Sequence, residues 1–115
     1  MVTKGDVESF LREVREKIKI FDIAFRPRDK NLEAITELDI LPLDRINYIN
    51  KLTSDNYYRG PIDDTFDTSK PSYYEFGIMI NGNEVYIKIS LGLNNKRVDC
   101  MSFHVAEKTI TYPLK

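Results

Sequence analysis

Between Ser72 and Val105 the chain alternates apolar and polar residues through three segments, and that alternation predicts three strands. Tyr74, Phe76, Ile78 and Ile80 share one face of the first, Val85, Ile87, Ile89 and Leu91 one face of the second, and Met101, Phe103 and Val105 one face of the third. Asn81-Gly82 is a tight hairpin signal and Gly92 to Lys96 makes a longer turn, so the three strands are expected to run as an antiparallel meander. The opposite face collects Tyr73, Glu75, Tyr86, Lys88, Ser90, Cys100, Ser102 and His104.

Upstream the period changes. Val7, Phe10, Leu11, Val14 and Ile18 form the stripe of an amphipathic helix that Thr3 or Asp6 can cap, with Glu8–Arg12 and Glu13–Lys17 as i,i+4 pairs on a solvated face. Phe21, Ile23 and Phe25 alternate as a short strand or an extended entry until Pro27 stops it. Three cations, Arg26, Arg28 and Lys30, surround that proline; a solvated turn is the expected outcome and contact with a phosphate backbone the alternative. Asn31 is placed as the cap of a helix through Leu32, Ala34, Ile35 and Leu38, and Pro42 opens another with Ile46, Ile49 and Leu52 turned inward. Turn formers from Thr53 to Pro61 predict a loop or ragged helix end carrying Tyr58 and Arg59, followed by a long connection over residues 61–72. Thr109 to Tyr112 reads as a last edge strand. The sum is one α+β domain over residues 1–115, with N-terminal helices packed on one face of a C-terminal antiparallel sheet.

Composition narrows the chemistry. A single cysteine allows no internal disulfide, and with a single histidine an all-protein zinc cage is not expected; Asp63, Asp64 and Asp67 lack the spacing of a calcium loop. Cys100 is expected to be a packing residue. Lys4, Asp6 and Glu8 stand where a signal peptide would be apolar, and no apolar run is long enough to span a membrane, so a cytoplasmic location is expected. A net charge of -1 provides no general attraction to nucleic acid, so any phosphate-handling site has to be local.

Half of a one-sided sheet is polar whatever the protein does, and on pattern alone the second face is accounted for as a solvated surface. It holds an unusual set, however. If neighbouring strands bring Glu75, Tyr86, Lys88, Ser102 and His104 within about 5–8 Å of one another, they supply what RNA cleavage needs. Glu75 or His104 can serve as base, Lys88 with Arg59 as cationic clamp, and Tyr86 or His104 as acid. Tyr58 and Tyr73 are candidates for stacking bases, with Ser90 and Ser102 as further RNA contacts.

The segment Gly82–Ser90, followed at hairpin distance by Ser102-Phe103-His104, resembles the C-terminal part of the MqsR family of type II toxin–antitoxin toxins. Leu52–Arg59 is similar to a second family stretch, Tyr57 to Pro61 to a longer branch of the family, and Ala34 with Glu37-Leu38-Asp39-Ile40 to a further motif; the likeness covers about residues 31 to 113. The resemblance implies a RelE-like fold and an mRNA interferase, an endoribonuclease using neither metal nor other cofactor. It also implies an RNA substrate, free or on the ribosome, and a cognate antitoxin encoded by the adjacent gene. By motif, the family's tyrosine falls on Tyr86, its second lysine on His104, its first lysine on Arg59, and its glutamine between Ser72 and Glu75. Histidine in place of a fixed cation suits proton transfer. The competing expectation is a non-catalytic protein-binding or regulatory module of the same fold.

Overall fold

Thr3 Oγ1 accepts from the Asp6 N–H at 3.2 Å while an Asp6 carboxylate oxygen accepts from the Thr3 N–H at 2.9 Å, so the two predicted caps act together as one capping box. The structure, a computed structural model, describes residues 1–115. The helix so started, α1, spans Lys4–Phe21 and buries Val7, Phe10, Leu11 and Val14. Its two anticipated ion pairs do not form. Glu8 instead accepts from the Ser54 N–H at 2.9 Å, and Lys17 Nζ donates to the carbonyls of Leu91 and Leu93. Hydrogen bonds to the backbone at Ser54, Leu91 and Leu93 hold these side chains more firmly than an exposed ion pair would.

After α1 come β1 (Ile23–Phe25), α2 (Asp29–Glu37), α3 (Asp44–Asn50) and a single 3-10 turn, then β2 (Tyr57–Ile62), β3 (Tyr73–Ile80), β4 (Asn83–Ser90) and β5 (Val98–Val105). The class is α+β, helices first and sheet after. The sheet runs in the order β1-β5-β4-β3-β2, antiparallel throughout except that β1 lies parallel to β5. It is therefore mixed rather than antiparallel: β1 leaves the helical half early, and the chain returns to it only after α2, α3 and three further strands. Asp63, Asp64 and Asp67 accept hydrogen bonds from within the β2–β3 loop.

Four other expectations are corrected by the tertiary structure. Tyr58 and Arg59 lie on a strand, β2, not a loop; the Gly60-Pro61 pair that reads as a turn is tolerated because β2 is an irregular edge with two register shifts. Gly60, at φ +127°, presses so closely on β3 that a Cβ would stand 2.9 Å from the Tyr73 carbonyl oxygen. Asn31 does not cap α2, whose cap position is Arg28. It is buried two residues inside the helix, donating to the carbonyls of Arg26 and Met101 and accepting from the Phe103 N–H, so its amide continues the edge of β5 where β1 stops.

Cys100 is on the core side. A bulge between the pairs Lys88↔Ser102 and Ile89↔Cys100 adds one residue, Met101, and turns the preceding side chains over. Cys100 consequently packs in the core with no exposed surface. Finally, Thr109 to Tyr112 is not a strand. The Ile110 N–H and the Tyr112 hydroxyl both donate to the Glu84 carboxylate, at 3.1 and 2.9 Å, and Ile110 is buried. The tail lies across the polar face where β3 carries Gly77; a Cβ there would come within 2.5 Å of the Tyr112 oxygen. On the other face, Phe76, Ile87, Ile89 and Phe103 pack in one core with side chains of the helices, and Tyr74 stacks on Phe10 at 4.1 Å.

Candidate active site

Strand register, not proximity in sequence, assembles the polar face. Arg59 pairs with Glu75, Glu75 with Lys88, and Lys88 with Ser102, so one residue from each of β2, β3, β4 and β5 falls into a row across the sheet. The next row is Gly77, Tyr86 and His104. Strands about 4.8 Å apart make these side chains immediate neighbours. His104 and Lys88 are on the same side, and both line a concavity of about 340 Å³ together with Tyr58, Arg59, Glu75, Tyr86 and Ser102.

Glu75 forms the floor. Only 2% of it is exposed; its Oε1 accepts from Arg59 Nε at 2.9 Å, and its Oε2 is buried without a hydrogen-bond partner in the fold. The rest of the Arg59 guanidinium is largely open to solvent and passes over the Tyr58 ring. Glu75 holds the Arg59 pKa above its ordinary value by hydrogen bonding. Burial first, and then the neighbouring Glu75 carboxylate, raise the Tyr86 phenol, which stays a proton-bearing donor across the physiological range.

Lys88 Nζ stands 4.1 Å from the centre of the Tyr73 ring, a cation–π contact at the rim. Burial lowers its pKa, with Glu75 partly opposing and Arg28 and Arg26 adding to the effect. The His104 ring lies 5.4 Å from that of Tyr86, and its Nδ1 is 2.9 Å from the Val105 carbonyl oxygen. A carbonyl only accepts, so Nδ1 carries a hydrogen, which leaves Nε2 as the ring nitrogen that can take up a proton.

Of the residues expected to bind RNA, Tyr58 and Ser102 line the concavity and Tyr73 flanks it under Lys88. Ser90 does not join them. It is buried, its hydroxyl accepts from the Gly92 N–H and contacts the Pro71 carbonyl, and it holds the end of β4 in place. The far wall is made by Arg28, Lys30, Ala106, Glu107, Lys108 and Ile110; sequence reasoning offered phosphate contact by the two basic residues only as the alternative to a solvated turn, and missed the tail. Charge around Pro27 was the available signal for the first two; nothing local marks the tail, because its anchor, Glu84, is more than twenty residues away in the chain.

Comparison of the chain with known families, with curated proteins and with solved structures finds no match. No helix is long and apolar enough to cross a membrane.

Proposed function

We propose that this chain is an endoribonuclease of the mRNA-interferase kind, the toxin of a type II toxin–antitoxin pair, with a RelE-like fold. The observation that carries the proposal is the convergence of His104, Lys88, Tyr86 and Arg59 on one open concavity above a buried carboxylate. The likeness of Gly82–Ser90 and Ser102–His104 to the MqsR toxins supports the same reading.

In the proposed reaction, His104 Nε2 takes the proton of a ribose 2′-hydroxyl, and the oxygen so released attacks the adjacent phosphorus. The bond from phosphorus to the 5′-oxygen breaks as that oxygen takes a proton from Lys88, whose burial makes it a stronger acid than an ordinary lysine. The products are a 2′,3′-cyclic phosphate and a 5′-hydroxyl, and solvent restores both protonation states. Arg59 and Tyr86 donate to the non-bridging oxygens as charge accumulates there. Glu75, closed off from substrate by its burial, is a positioning residue: it aims Arg59 and keeps Tyr86 protonated. Of the two candidate bases, His104 is the one a substrate can reach. The antitoxin would cover this concavity, in the cytoplasm.

Labelled RNA incubated with the protein in EDTA tests the proposal. Cyclic-phosphate ends are expected with the parent chain and lost in His104→Ala and Lys88→Ala, both retaining the parent's melting transition. Failure of the parent to cut free RNA, and to arrest a translating extract, would leave a non-catalytic binding module in place of a nuclease.

A further inference from the structure

The far wall of the concavity has a composition that the proposed chemistry leaves unused. Arg28 stands at the cap position of α2 but makes no capping bond, is exposed, and has no acidic partner. Its neighbours in the cation cluster are both engaged: Arg26 binds Asp99 through two hydrogen bonds, at 3.1 and 2.8 Å, and Lys30 meets Glu107 at 2.6 Å. That second pair joins the entry of α2 to the docked tail. The next tail residue, Lys108, also lines the concavity and has no hydrogen-bond partner. Two unpaired cations from segments eighty residues apart in the chain are thus brought to one wall, held there by Asn31 on one side and by Glu84 on the other.

A polymer needs such a wall. The chain carries a net charge of -1, so nothing but local cations can hold a phosphate backbone. Arg59 is partly neutralised by Glu75 and, with Lys88, is committed to the bond being cut. The geometry points to a second phosphate subsite, formed by Arg28 and Lys108, that holds a phosphate of the RNA next to the one cleaved. Resting on the nuclease reading above, this places the RNA strand across the sheet, from Tyr58 on β2, over Lys88 and His104, to the α2 entry beyond β5. Crossing four strands takes about 14 Å at the ordinary strand spacing. Lys30 is a reserve cation, because its pair with Glu107 is exposed on both sides and yields readily to a phosphate.

The salt dependence of RNA binding tests this directly. His104→Ala is used as the parent so that RNA stays intact, with a short fluorescein-labelled single-stranded RNA of mixed sequence read by anisotropy. Adding Arg28→Ala or Lys108→Ala is expected to flatten the plot of log affinity against log salt by about 0.7 for each cation removed, with similar weakening for every sequence tried. Lys96→Ala, on the β4–β5 turn and outside the concavity, is expected to leave the slope at the parent value. Equal slopes for Arg28→Ala, Lys108→Ala and the parent would overturn the subsite, as would a parent that binds no RNA. Unaltered melting transitions show that the variants are folded, and Arg28→Gln repeats the test where Arg28→Ala melts early. The two readings fail separately: cleavage by the wild-type chain with unaltered slopes removes the subsite alone. Slope changes in a chain that never cuts RNA remove the nuclease alone.

Discussion

The two faces of β3, β4 and β5 are made by the same backbone and differ in how they are specified. On the core face Phe76, Ile87 and Phe103 belong to one cluster of apolar side chains, so they are held by bulk and shape, and exchange of one hydrocarbon for another of similar volume is tolerable. On the polar face Glu75, Lys88 and Ser102 are held by register, each opposite one particular partner. Slippage by one residue would leave the core face poorly packed and the polar face without a site at all. Stability and chemistry are therefore separable on adjacent residues of one strand.

Phe103 and His104 provide the sharpest contrast. Phe103→Ala is expected to cost about 3–5 kcal/mol in urea denaturation, enough to threaten folding altogether. His104→Ala should leave the denaturation midpoint nearly in place and lower cleavage by about 10²–10⁴-fold, the usual contribution of a positioned proton-transfer group. If the two variants lose stability alike, the separation of the faces is wrong.

Arg59→Ala blurs the division, because it removes the partner of a buried carboxylate. A loss of about 1–3 kcal/mol is expected from the stranded Glu75, together with weaker cleavage, and Arg59→Lys should recover more of the stability than of the rate. Gly77→Ala probes the join between tail and sheet. Its new methyl group has to displace Tyr112 or Ile110, at a cost of about 1–3 kcal/mol, and amide exchange at Ile110 should speed up while Phe103 stays protected.

Two titrations have smaller effects. Cleavage should fall on the alkaline side as Lys88 loses its proton, at a pH below the 10.5 of an ordinary lysine because burial lowers it; Lys88→Arg, permanently charged, should abolish that limb along with most of the rate. An alkaline limb unchanged in Lys88→Arg would exclude Lys88 as the acid. Tyr112 has its pKa pushed up from 10.0 to about 12, by burial first and then by the Glu84 carboxylate. The folded pKa is the higher one, so its contribution to tail docking is whole below pH 10.0 and disappears as pH rises through about 12. Tyr112→Phe removes that pH dependence at a cost of about 1 kcal/mol.

Much of this architecture is legible residue by residue. Alternation along Tyr74–Ile80 and Val85–Leu91, and the 3.6-residue stripe from Val7 to Val14, state which side faces inward because burial is a property each residue carries locally. Asn81-Gly82 states where the first hairpin turns, since few residues adopt that backbone without strain. The same alternation puts Glu75, Tyr86, Lys88, Ser102 and His104 on one face before any coordinates are known.

Other features belong to the tertiary structure alone. Cys100 reads as polar-facing until a bulge, stabilised by Asn31 from seventy residues upstream, reverses it. Arg59 reads as loop until β3 offers it an edge, and the tail reads as a strand until Glu84 captures it by side-chain hydrogen bonds. Arg28, Arg26 and Lys30 are indistinguishable in sequence; Asp99 and Glu107 single out Arg28 by pairing with the other two. Periodicity encodes which face a side chain takes, because that depends on its own hydropathy, whereas pairing across space depends on the position of a second residue that the local pattern does not contain.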